Sequence, residues 1–221
     1  MSYIGRVATQ SKPTSRRRPK HDPKVSEREI LEAAEQLLRE RRLRDVSVDA
    51  IMSRTGLKRP AFYVHFRDRH DLVLRLIEEI RRELFEMSDV WFRGDDPYDD
   101  ARAALEGLVT VYVEHGPVLR ALADASGADE QVEQAYRGLV EDFIAATARH
   151  IREEQAVGRI GDLVDVDETA RALIWMEERY ISEALGRTPQ TDPKLVVEVL
   201  YTIWMSTLYG TIAPADRAPQ R

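Results

Sequence analysis

The 221-residue chain is 43% hydrophobic and 33% charged, with a net charge of −6, so it has apolar content for a core and a heavily charged surface. The absence of cysteine excludes disulfides, thiolate metal sites and cysteine nucleophiles. No apolar run reaches the length of a signal peptide or a membrane span, so a cytoplasmic protein without membrane contact is expected.

With only 11 Gly and 10 Pro as punctuation, the apolar periodicity predicts an all-α fold of about nine helices. Charge is unevenly spread. Residues 1–70 hold 17 basic and 9 acidic side chains, whereas residues 71–221 hold 16 and 30. A basic head on an acidic body suits contact with a polyanion. Residues 1–24, with 7 basic and 1 acidic side chains, read as a disordered arm that either solubilises the chain or lies along nucleic acid.

Ser26 and Glu29 form a candidate capping box, with Val25 and Ile30 as its hydrophobic staple, for a first helix running to about residue 42. Ser47 is a second N-cap, opening a short helix that Gly56 ends in a left-handed turn. A third short helix follows, with Pro60 in its first turn. Two short helices joined by a Gly turn behind a longer support make a helix-turn-helix over 25–70. Asp68 and Asp71 cap a fourth helix over 71–92. Further helices are expected over 99–115, 117–125 (after a break at Gly116-Pro117), 130–157, 167–185 and 194–209, with 213–221 a flexible tail.

The stretch from Ser47 to Leu72 resembles the head of TetR-family repressors: a small-residue turn, a variable pair, Pro60, Ala61, then Phe62-Tyr63, Phe66 and a basic residue opening the fourth helix. Met52 departs from the family's usual alanine, which implies wider packing there. The segments 172–179 and 203–210 resemble the EthR-type subgroup. The resemblance implies a three-helix DNA-binding head and a helical body (71–212) that binds an effector and forms a homodimer through the last two helices. It also implies a ligand-responsive repressor on a palindromic operator, with no cofactor.

In such a head, Arg59 suits a guanine edge, and Lys58, Ala61, Val64 and His65 are lesser readers beside the shaping Pro60. Arg69, Ser47, the Tyr63 hydroxyl and the amides opening the fourth helix suit phosphates. Phe62 and Phe66 should face inward. Carried over from the subgroup, Val111, Tyr136, Val140, Phe143, Ile174, Glu177 and Trp204 would line an apolar effector pocket. Taken singly, the aromatics among them read as ordinary core, and Glu177 as a salt-bridge partner of Arg171 or Arg179. The last helix is apolar almost all round, which calls for a partner subunit over its outer face.

No catalytic constellation stands out. The five histidines are scattered, His150 and Glu153 read as a surface pair, and no phosphate-cradling glycine loop or nucleophile elbow is present. The chain is therefore expected not to be an enzyme. The alternative is a helical small-molecule-binding protein or enzyme with an incidental basic head.

Overall fold

Eight α-helices and no strand make up the described residues, 22–126 and 129–210, of the computed structural model. The head holds α1 (Pro23–Glu40), α2 (Val48–Met52) and α3 (Phe62–His65), the last entered through a short 3-10 turn, Arg59–Ala61. The body holds α4 (Arg69–Arg93), α5 (Asp99–Ser126), α6 (Glu130–Ala156), α7 (Val166–Leu185) and α8 (Pro193–Tyr209). Of the expected arm, residues 1–21 lie outside the described residues, as does the tail over 213–221.

The first helix starts earlier than its capping-box signature suggested. Asp22 is the N-cap, accepting from the Lys24 amide at 3.0 Å, and Pro23 fills the first turn. Ser26 is buried one turn in, and its hydroxyl donates to the Asp22 carbonyl. Val25 stays exposed, so no staple forms. Glu29 is used elsewhere, as acceptor for the Gly56 amide at 2.5 Å. Gly56 itself is not left-handed: among the described glycines only Gly158 and Gly210 have positive φ. The turn thus rests on its amide being held from α1 rather than on glycine's freedom.

Ser47 caps α2 as expected, accepting from the Ala50 amide at 3.1 Å. Asp68 caps α4, accepting from the Asp71 amide, while the Asp71 carboxylate reaches back past the cap to accept from the Arg67 amide, both at 2.9 Å. At about 1.5 Å per residue, α4 spans about 37 Å. It carries the head core, through Leu72 and Val73, into the body core, through Leu84 and Trp91.

The break expected at Gly116-Pro117 does not occur, and α5 runs through Pro117 to Ser126. A helix-interior proline strands the carbonyl four residues back. Here that carbonyl, of Val113, accepts from the Gln190 side-chain amide at 3.4 Å, which also caps Leu185 at the end of α7 at 2.7 Å. Gly116 lets the backbones close up, since a Cβ there would lie 3.0 Å from the Leu185 carbonyl oxygen. Central in the body, α5 touches α1, α4, α6, α7 and α8.

Candidate nucleic-acid interface and internal cavity

The recognition segment divides by periodicity. Phe62 is fully buried and Phe66 nearly so, their rings 5.4 Å apart, locking α3 onto Ile51 and Leu72 in the head core. This turns Tyr63 (52% exposed) and Val64 (75%) outward, beside exposed Lys58, Arg59 and Pro60. Ala61 and His65 are half-buried at the edges. Met52 is buried in the same core.

Arg59 is not idle. Its guanidinium donates to both carboxylate oxygens of Asp49, at 2.8 and 3.0 Å, and to the Tyr63 hydroxyl at 3.2 Å, lying 5.9 Å from the tyrosine ring centre. Asp49 thus holds the expected base reader against α2, a partner that helix-capping logic alone did not reveal. Arg69 donates to the Leu43 and Val46 carbonyls at 3.2 and 3.1 Å, pinning the α1–α2 loop to the start of α4. The amides opening α4 are partly taken up by Asp68. Arg67, with a side chain 84% exposed, is a further cation beside α3, held only by Asp71 at 3.4 Å; its position directly after Phe66 was the available signal.

Inside the body, two narrow cavity lobes of about 30 and 40 Å³ share Leu108, Phe143, Ile174 and Glu177. Little of their space is wide enough for a water molecule. The first lobe adds Trp91, Phe92, Trp204 and Met205; the second adds Tyr112, Tyr136, Val140 and Glu178. Six of the seven expected pocket residues meet there. Val111 is buried but borders neither lobe. Trp91 and Phe92 escaped notice because single aromatics at helical spacing look like core, and Met205 because it reads as one more apolar residue of the last helix.

Glu177 sits at the waist between the lobes, 8% exposed. The salt bridge expected for it does not form. Arg171 pairs with Glu141 and Glu168, and Arg179 with Glu183, all on the outside of the bundle. Burial pushes the Glu177 carboxyl up to about 7, with only the Trp204 indole pulling it back. That indole N–H lies near the carboxyl, and the one of Trp91 near the Tyr209 hydroxyl, but neither is aligned closely enough for a full hydrogen bond. Glu178 is also raised by burial, though its carboxylate accepts from the Tyr136 hydroxyl.

His150 is buried against Trp91, ring centres 4.3 Å apart, while Glu153 faces solvent, so the expected surface pair is not one. Burial lowers the His150 pKa and keeps the ring neutral. Among the described residues, no group of three or more His, Asp or Glu is placed to hold a metal ion, and no helix is long and apolar enough to cross a membrane.

Residues 30–76 match the family described as bacterial regulatory proteins, tetR family, and residues 101–210 match the C-terminal domain of the transcriptional regulator EthR. The HTH-type transcriptional regulator EthR of Mycolicibacterium smegmatis is 30% identical over 204 residues, covering 90% of this chain and 94% of that protein. Its counterpart in Mycobacterium tuberculosis is 29% identical over 208 residues, with the same coverage. The crystal structure of the regulatory protein TetR from Rhodobacter sphaeroides superposes with a TM-score of 0.67 at 23% identity, covering 83% of this chain and 99% of that one. Head and body together therefore identify the chain as an EthR-like member of the TetR family of DNA-binding transcriptional regulators.

Proposed function

We propose that the protein is a ligand-responsive repressor that binds a palindromic operator as a homodimer and is released by an apolar or amphipathic effector. The observation that carries this reading is the division of the recognition segment. Burying Phe62 and Phe66 leaves Lys58, Arg59, Tyr63 and Val64 as a rigid outward surface. Residues 25–70 act as the DNA-binding unit and 71–212 as the effector and dimerisation unit. Arg59 reads base edges after leaving Asp49, with Lys58, Ala61, Val64 and His65 beside it, and Ser47, Tyr63 and Arg69 hold or position the phosphates. Two heads would sit in successive major grooves, about 34–36 Å apart.

Dimerisation is assigned to α7 and α8. Leu195, Val199 and Ile203 line the outer face of α8. Thr202, Ser206 and Thr207 on the same side return their hydroxyls to carbonyls of their own helix, at 2.8, 2.6 and 2.8 Å, leaving a face of low polarity. Ala172 and Met176 of α7 border it. The cavity at Glu177 is the effector site, and the chain acts as a regulator rather than an enzyme.

A gel-shift titration against the DNA flanking its own gene tests the reading. Saturable retention that survives competitor DNA is expected. Retention indistinguishable from that of random duplex would overturn it and favour a small-molecule-binding protein with an incidental head.

A further inference from the structure

We propose that the cavity takes a cationic amphiphile, an apolar body carrying a protonated amine, with Glu177 as its counter-ion. This deepens the reading of the cavity as the effector site and rests on it. Glu177 is more than nine-tenths buried, points into both lobes, and has no ion-pair partner among the described residues. No Lys or Arg lies on either wall. The titratable groups around it are Tyr112 from α5, Tyr136 from α6 and Glu178 from α7, which add a second acid and no base. From α4, the Ser88 hydroxyl is spent on the Leu84 carbonyl. From α8 comes only the Trp204 indole.

A buried carboxylate without a counter-charge is costly, and a ligand that supplies the charge removes that cost on binding. The first lobe is also aromatic, lined by Trp91, Phe92, Phe143 and Trp204, which suits the apolar body beside a cation. An anionic ligand meets two carboxyl groups and no cation. A neutral ligand can offer Glu177 a hydrogen bond but no counter-charge.

The test is calorimetric titration of the full chain with three probes that share one apolar body: 4-phenylbutylamine, 4-phenylbutan-1-ol and 4-phenylbutanoate. The amine is expected to bind at least about tenfold tighter than the alcohol, with the carboxylate weakest, and Glu177→Gln to erase the amine's advantage. If alcohol or carboxylate matches the amine on the native protein, the cation assignment falls while the cavity stands as a site. An amine preference that survives in Glu177→Gln removes Glu177 as counter-ion. Failure of all three probes to bind overturns the effector reading of the cavity, and this inference with it.

Discussion

Glu177→Gln probes the cavity without any ligand. Burial holds the Glu177 carboxyl at about 7 in the folded protein, against an ordinary 4.5. Between those pH values the folded chain keeps a proton that the unfolded chain has released, so stability falls as pH rises through the window. Tenfold in acidity is about 1.4 kcal/mol, so ionising this one group in place costs about 3 kcal/mol, absent below pH 4.5 and fully present above pH 7. Glutamine keeps the shape and removes the ionisation. Denaturant titrations of both proteins at pH 5, 6, 7 and 8 would measure it. The variant's stability relative to the native chain should rise by about 2–3 kcal/mol from pH 5 to pH 8. Taking the difference cancels the other titrations, notably His115, raised by its Glu35 partner, and His150, lowered by burial. A difference that stays flat with pH would mean that Glu177 ionises as in water, and the dry, unpaired waist would be wrong.

Arg59→Ala should lose about 1–3 kcal/mol of discrimination at particular base pairs, whereas Tyr63→Phe should weaken all sequences alike; a base-by-base binding scan separates the two. Ile203→Asp should place a charge in the proposed dimer face and shift sedimentation to the monomer. His115 is held by Glu35 of α1 and, at 3.2 Å, by Glu83 of α4, and the raised pKa makes its contribution to stability present below about pH 6.5 and lost as pH climbs past the raised value. His115→Gln should therefore destabilise most at acid pH, with the gap from the native chain narrowing in melts run toward pH 9.

The head was legible because each of its rules is local. Ser47 caps α2, Asp68 caps α4, and the spacing of Phe62 and Phe66 is that of one helical face; all need only neighbours in the chain. What escaped reading depends on distant partners. Glu29 looked like half of a capping box, yet the structure uses it 27 residues away, at Gly56. Gly116-Pro117 looked like a stop, yet Gln190 supplies the donor that lets α5 continue. Arg59 looked free, yet Asp49 across the turn holds it. The cavity was legible as a set of positions but not in its electrostatics. Nothing in the sequence says that Arg171 and Arg179 turn outward and leave Glu177 alone.

The narrowness of the cavity bears on how an effector would reach the head. A molecule larger than these narrow lobes would enter only by parting their walls, and α4 is one of those walls through Leu84, Ser88 and Trp91. The other end of the same helix starts at Arg69, which grips the Leu43 and Val46 carbonyls of the head. About 33 Å of uninterrupted helix joins Trp91 to Arg69, so a displacement at the cavity would reach the head as tilt or shift. Near its midpoint, α4 is tied through Glu83 and His115 to Glu35 of α1, which makes the head follow rather than shear away. The walls lie close together, so an effector would favour a parted arrangement by whatever affinity it has for that state over the closed one. Coupling of this kind would need no hinge beyond the helix itself, and its strength would be set by that difference in affinity.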